Sequence, residues 1–356
     1  MKNLSVYVIV FLFFASACSN KSGSGGTTPP PSPPPPPPPP PPVVVVKQPN
    51  MFVSGKNLKD SAGNNFIMRG NNFPVFWYPN DYKPSIAAAA KIKCNAARIV
   101  WQLRVETWTP TLAKLEEAIM ECIANKMVPI VELHDYTGGT NASDITNAAA
   151  WFIRADVKAI LDKYTYVLII NIANEWGDNS VSDLAWKNAY LPAIIAIRNA
   201  GYKVPIMIDA PGYGQRETAI VAHGEELLNS DPLKNVIFSA HAYSNWNTSS
   251  SYSSRISAIL AKNLCFVFGE FGWNVPDNQQ PASFTCKVDA PLLMQLCQTN
   301  NVGYIAWSWK GNDAANLCFD MCGSWSDTSF LTTWGRQWAY DANGVRNTAV
   351  KASVFP

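Results

Sequence analysis

Short apolar runs recur along the chain, and most of them end on polar or aromatic residues. Val167-Leu-Ile-Ile170 is apolar throughout, as expected of a strand buried on both faces, since a half-solvated strand would alternate. It leads into Asn171 and then Asn174, Glu175 and Trp176. Cys265-Phe-Val-Phe268 has the same form and leads into Glu270 and Trp273. Further strands are predicted over 96–101, which contains Arg98, and over 128–133, which stops at His134-Asp135. Others cover 204–208 before Asp209, 236–239 before His241-Ala-Tyr243, and 302–306 before Trp307-Ser-Trp309. The first strand of the set ends at Gly70-Asn71-Asn72, and a hairpin precedes it, with arms 51–53 and 65–69 joined by the turn Asp60-Ser-Ala-Gly63. Helical patterns fall between the strands, typically over 111–125 and 182–201. The second opens on Ser182-Asp183 as an N-cap and closes on Asn199-Ala-Gly201 as a C-cap. Pro192 inside it predicts a kink or a division into two helices. Eight strands alternating with helices define an α/β chain closed into one parallel (β/α)8 TIM barrel. No internal repeat, transmembrane segment or second folding unit is visible.

The first 48 residues follow a different pattern. Met1-Lys2 is a basic start, an apolar stretch runs from Val6 to Phe14, and Ala15-Ser16-Ala17 precedes Cys18. Too short to span a bilayer, this segment is expected to be a removable signal over 1–17. Small residues before a cysteine resemble a bacterial lipobox, which implies cleavage before Cys18, lipidation of its thiol and a membrane tether. Ala15 stands where Leu is more usual, so ordinary signal cleavage and free secretion remain open. Residues 18–48 form a linker rich in Ser, Gly and Pro. Its proline run favours polyproline II, a stiff spacer on the order of 40 Å long at ~3.1 Å per residue. The folded domain is assigned to 49–356.

A formal net charge of +2 points neither to nucleic acid nor to an anionic surface, so neither partner is expected. The 13 tryptophans are more informative, because so many broad apolar rings suggest platforms in a cleft as well as core packing. Trp151, Trp186, Trp334 and Trp338 are expected to pack between helices and barrel. Trp77, Trp176, Trp246 and Trp273 lie in predicted rim loops and are expected to line further subsites of such a cleft.

Polar groups at the C-terminal ends of barrel strands face a shared cleft, because the interior beneath them is packed. Two strand-end glutamates on such a rim, Glu175 and Glu270, are the minimal equipment for breaking a glycosidic bond with retention. The set Arg98-Ile-Val, His134-Asp-Tyr-Thr-Gly138, Asn171-Ile-Ala-Asn-Glu-Trp-Gly177 and Asp209-Ala-Pro-Gly-Tyr-Gly-Gln215 falls in order along the domain. It continues with His241-Ala-Tyr243, Gly269-Glu-Phe-Gly272 and Ala306-Trp-Ser-Trp-Lys-Gly-Asn312. In these motifs the sequence resembles glycoside hydrolase family 5, and within it the bacterial β-mannanases. The resemblance implies that Glu175 is the acid/base and Glu270 the nucleophile. It implies further that His134 and His241 bond sugar hydroxyls or the acid/base, and that Trp307 lies under the sugar at the cleavage point. A nucleophilic Glu270 needs donors, which Arg98 and Tyr243 can supply. Glu175 must hold a proton, so its pKa is expected to be raised by burial and by Glu270. Asn174 offers an amide to the sugar 2-OH.

Taken singly, these signals are weaker. Asn-Glu after an apolar run is often a helix cap, and Gly-Glu-Phe-Gly can be a turn. With 3 histidines and no HExxH spacing, no metal is expected, nor any other cofactor. His223 falls in a solvated helical context. Cys18 aside, 7 of the 8 cysteines remain, an odd number. Cys318 with Cys322 and Cys286 with Cys297 are candidate pairs to pin loops after the last two strands, the sequence leaving connectivity open, and Cys265 is the expected buried thiol. The activity expected is endo-β-1,4-mannan hydrolysis by a monomer, with a polysaccharide as partner. An endo-β-1,4-glucanase on the same scaffold is the alternative, since mannose and glucose differ only at C2. A non-catalytic glycan-binding lipoprotein is the third reading, against which stands the joint presence of Glu175, Glu270, Arg98 and Tyr243.

Overall fold

The computed structural model describes residues 49–103 and 111–355, so the expected signal, Cys18 and the linker lie outside the described residues. Two short strands, β1 (Phe52–Ser54) and β2 (Asn57–Lys59), pair antiparallel. Eight more follow: β3 (Arg69–Phe73), β4 (Ala96–Trp101), β5 (Val128–Leu133), β6 (Ile169–Asn171), β7 (Ile206–Asp209), β8 (Val236–Ala242), β9 (Cys265–Phe271) and β10 (Gly303–Ala306). These eight close into a barrel in the order β10-β3-β4-β5-β6-β7-β8-β9, every pairing parallel. The (β/α)8 expectation holds.

Side chains along a strand alternate between its faces, so residues two apart share one. Ala96, Ile130, Ile169, Met207 and Ile237 belong to one apolar cluster together with Met51, Leu58 and Phe66 from the hairpin region. Two positions on, facing the same way, stand Arg98, Glu132, Asn171, Asp209 and Ser239, all buried. The interior is thus apolar in its lower layers and polar in its upper one. A buried polar layer is tolerated only when its members pair with one another. The opposite faces of the strands join a larger cluster with the surrounding helices, including Trp151, Trp186, Trp334 and Trp338.

Several expectations are corrected. The hairpin turn is at Gly55, whose φ of 58° suits a tight reversal, and the loop from Asp60 to Gly63 instead follows β2 and returns Asn65 to Lys59. Helix Asp183–Asn199 runs undivided through Pro192. That proline and Asn188, the residue one turn before it, are both exposed, so water can satisfy the carbonyl left without a partner. Of the four rim tryptophans, Trp77 alone is exposed; Trp176, Trp246 and Trp273 are buried packing residues. Their loops fold back onto the barrel, as when Trp176 Nε1 donates to the Asn141 carbonyl at 3.1 Å and Trp273 stacks on Trp334. All seven cysteines among the described residues are free thiols. Neither candidate bridge forms: Cys286 Sγ points at the Trp273 carbonyl, 3.2 Å away, and Cys322 Sγ at that of Asp327, 3.3 Å away. Cys265 is buried as expected, and His223 lies on helix Thr218–Ser230, 3.1 Å from Glu226.

Candidate active site

Arg98 is the hub. It lies mid-strand in β4, with its side chain inside the barrel's polar layer. Its Nη1 donates to Glu270 Oε1 at 2.8 Å and to Asn72 Oδ1 at 3.0 Å. Nε reaches Asn171 Oδ1 at 2.9 Å, and Nη2 reaches Asn174 Oδ1 at 2.8 Å and Asp209 Oδ2 at 3.2 Å. Glu132 Oε2 lies 3.9 Å from Nη1. Burial alone would lower the guanidinium's pKa, but Glu132, Asp209, Glu270 and Glu175 outweigh it and drive the pKa up. The fork geometry of a guanidinium is what lets one side chain hold this many acceptors.

Glu270 is the penultimate residue of β9. Its second oxygen accepts from the Tyr243 hydroxyl at 2.8 Å. Burial, and then the charge of Glu270, raise the Tyr243 pKa well above its usual value, so the phenol stays a donor. Strand β8 reaches its neighbour through an irregularity at Ala240/His241, which sets His241 opposite Glu270.

Glu175 follows β6 at φ 46°, a left-handed conformation for a residue with a side chain. Three contacts hold it there: the Asn174 amide donates to the Leu133 carbonyl (2.7 Å), the Glu175 amide to Asp209 Oδ2 (3.2 Å), and the Gly138 amide to the Glu175 carbonyl (3.0 Å). Strain of this kind persists where its surroundings over-determine it. Glu175 Oε1 is 2.7 Å from His241 Nδ1. Burial raises the Glu175 pKa and the Glu270 charge adds to it, while the hydrogen bond from His241 opposes them. On His241, burial opposes protonation, but Glu270, Asp209 and Glu175 together raise its pKa to about 10. His241 Nε2 lies 3.4 Å from Asp209 Oδ2, an ionic contact without hydrogen-bond alignment. For Asp209 burial works against ionisation, and His241 and Arg98 overcome it to hold the carboxyl well below the usual range. Glu175 and His241 therefore share a proton as a pair.

Glu175, His241 and Glu270 each place one atom within 4.8 Å of the others. This is also the set among the described residues best placed to hold a metal ion. Its chemistry suits a cation poorly: both Glu270 oxygens already accept hydrogen bonds, and a protonated His241 has no lone pair to give.

The other predicted residues border the same cleft of about 960 Å³. Asn174 spends its oxygen on Arg98 and one amide hydrogen on Thr137 Oγ1 at 2.9 Å, while His134 Nε2 is 3.4 Å away. His134 Nδ1 is 2.9 Å from Glu132 Oε1, and its ring lies nearly parallel to that of Trp307, centroids 5.7 Å apart. Trp77, Tyr78, Tyr213, Phe284 and Phe319 also line the cleft. Sequence reasoning missed Glu132, and quoted Asn72, Asp209 and Asn171 without giving them a task. The one available signal was a lone carboxylate inside the apolar run of β5.

Comparison with known proteins gives the arrangement a context. Residues 59–313 match the profile of Cellulase (glycosyl hydrolase family 5). A mannan endo-1,4-beta-mannosidase of Cellvibrio japonicus is 35% identical over 308 residues, 85% of this chain and 69% of that protein. A second, from Salipaludibacillus agaradhaerens, is 33% identical over 305 residues, 85% of this chain and 95% of its own. Among solved structures, the catalytic domain of a mannanase from Streptomyces sp. SirexAA-E superposes with a TM-score of 0.78 at 29% identity, covering 88% of this chain and 97% of that one. A parallel barrel with two carboxylates facing each other across its rim, and a profile match over most of that barrel, lead to one conclusion: the chain belongs to glycosyl hydrolase family 5.

Proposed function

We propose that the protein is an endo-β-1,4-mannanase acting with retention, in which Glu270 is the nucleophile and Glu175 the acid/base. The observation that carries this is the carboxylate pair, with oxygens within 4.8 Å of each other. Retaining enzymes hold their two carboxyl groups at about 5–5.5 Å, whereas inverting enzymes leave room for a water between them. The environments are asymmetric in the required sense. Glu270 faces the donors Arg98 and Tyr243, which favour a charged, attacking carboxylate, whereas burial and the charge of Glu270 raise the Glu175 pKa and favour its acid form.

Attack of Glu270 on the anomeric carbon breaks the glycosidic bond as Glu175 passes its proton to the leaving oxygen. His241 then faces a newly ionised Glu175, which it stabilises across 2.7 Å. In the second step Glu175 takes a proton from water, whose oxygen displaces Glu270 and restores both carboxyls. Asn174 Nδ2 is placed to donate to the sugar 2-OH, and Trp307 to lie beneath the ring. An open cleft rather than a closed pocket supports attack within a chain.

Mannan is favoured as substrate over cellulose because the relatives that share 32–35% of aligned residues with this chain are mannan endo-1,4-beta-mannosidases. Export, the lipid on Cys18 and the stiff spacer that would hold the barrel away from a membrane belong to the same proposal, supported by the first 48 residues alone. Hydrolysis of mannan, glucomannan and carboxymethylcellulose, compared at equal enzyme, tests the substrate. Turnover of both mannose-containing polymers is expected, and activity confined to carboxymethylcellulose would reject the mannanase reading in favour of a glucanase.

A further inference from the structure

The loop after β10 returns along the cleft wall and carries a polar chain that ends on Trp307. The indole Nε1 donates to Asn312 Oδ1 at 2.9 Å. The Asn312 amide nitrogen donates in turn to Asp320 Oδ1 at 2.8 Å and to Ser308 Oγ at 3.0 Å. Asp320 Oδ1 also accepts from the Asn312 backbone amide at 2.9 Å. Asp320 is buried and does not border the cleft, and Lys310 Nζ lies 3.7 Å from its other oxygen. On the backbone side, the Trp307 carbonyl accepts from Trp334 Nε1 at 2.9 Å. The tryptophan is therefore held at both ends.

The sense of this chain follows from which groups can donate. An indole nitrogen can only donate and an ionised carboxylate can only accept, whereas an amide does either, according to which way it faces. Placed between them, Asn312 has one satisfactory orientation: oxygen toward Trp307, nitrogen toward Asp320. Were Asp320 able to donate as well, the Asn312 amide could turn over and set its NH2 against the indole N–H. We propose that Asp320, acting through Asn312, is a positioning residue for Trp307, fixing the tilt of the ring that lies under the sugar at the cleavage point. The proposal rests on Trp307 being that platform. It assigns Asp320 and Asn312 no contact with the reacting atoms. A platform turned out of plane loses its match to the C–H face of the sugar, and small misplacements are costly when they shift the reacting carbon away from its nucleophile.

The test is a double-mutant cycle on mannohexaose hydrolysis, with kcat and KM determined separately and the thermal midpoint followed for each variant. Asp320→Asn keeps the shape and removes the acceptor-only character. It is expected to lower kcat/KM by about 5- to 50-fold, with the loss carried mainly by kcat. In the Trp307→Phe background, which has no indole N–H to orient, the same change should cost less than about 2-fold. Should Asp320→Asn not fold, Asn312→Leu enters the same cycle, since it removes the acceptor from the indole and leaves Asp320 its bond from the residue 312 backbone amide. Equal losses in both backgrounds would show that Asp320 merely supports the loop, and no loss in either would also overturn the proposal. Trp307→Ala separates this from failure of the underlying reading. If it turns over mannohexaose at the wild-type rate, Trp307 is no platform and both fall; if it is impaired but the cycle shows no coupling, only the positioning role falls.

Discussion

At the scale of single residues, the site is an exercise in charge balance. Arg98 offsets part of a buried cluster that includes Glu132, Asp209 and Glu270, and the remainder is taken up by the proton that Glu175 and His241 share. This makes a prediction about pH. With His241 raised to about 10, the pair keeps its proton well above neutrality, so the alkaline limb of kcat/KM belongs to the pair and not to either member. In His241→Gln the proton has only Glu175 to occupy. The alkaline limb should then move to lower pH, checked by kcat/KM profiles on a soluble mannooligosaccharide, and an unmoved limb would contradict the assignment. The same shift bears on stability. His241 titrates higher folded than unfolded, so its contribution is complete below about 6.5 and is lost as pH rises toward about 10. The difference in thermal midpoint between wild type and His241→Gln should narrow over that interval.

At the scale of elements, much of the site could be read in the sequence and part of it could not. Glu175, Glu270, His134, Asn174, Tyr243 and Trp307 each follow or end an apolar run, and all six border the cleft. Strand ends are legible because a buried strand has no use for a charge. Glu132 escaped notice because it lies within its run, where only counting alternate positions from Val128 reveals that it faces the interior with Arg98. Three of the four rim tryptophans, Trp176, Trp246 and Trp273, were misread for the opposite reason: position in a loop says nothing about whether the loop folds back. The placement of His241 beside Glu270 depends on an irregularity between β8 and β9 that no residue announces. It depends too on Gly214, whose carbonyl accepts from the His241 amide at 2.7 Å and whose φ is 72°. A Cβ there would lie 2.6 Å from His241 Cγ and 2.7 Å from Nδ1. Gly214→Ala should therefore swing the imidazole away from Glu175, lowering kcat by about 10- to 100-fold and costing about 1–3 kcal/mol of stability, measured by kinetics and urea unfolding.

At the scale of the whole molecule, the barrel separates stability from chemistry along its axis. The polar layer and the cleft are at the C-terminal ends of the strands, while Met51, Leu58, Phe66 and Met68 join the apolar layer toward the other ends. Phe66 is buried and remote from the cleft lining. Phe66→Ala should cost about 3–5 kcal/mol in urea unfolding and leave kcat within about 2-fold of wild type at a temperature where the variant is folded. A large fall in kcat there would mean that the two ends are coupled more tightly than the layering implies.

The division of labour between the two glutamates is tested most directly by trapping. A 2-deoxy-2-fluoro-β-mannosyl fluoride slows both steps but leaves the second one limiting, so the covalent intermediate accumulates and its peptide can be located by mass spectrometry. The account predicts one glycosyl adduct per chain, on Glu270, absent from Glu270→Ala. An adduct on Glu175, or inverted products with no adduct at all, would contradict it.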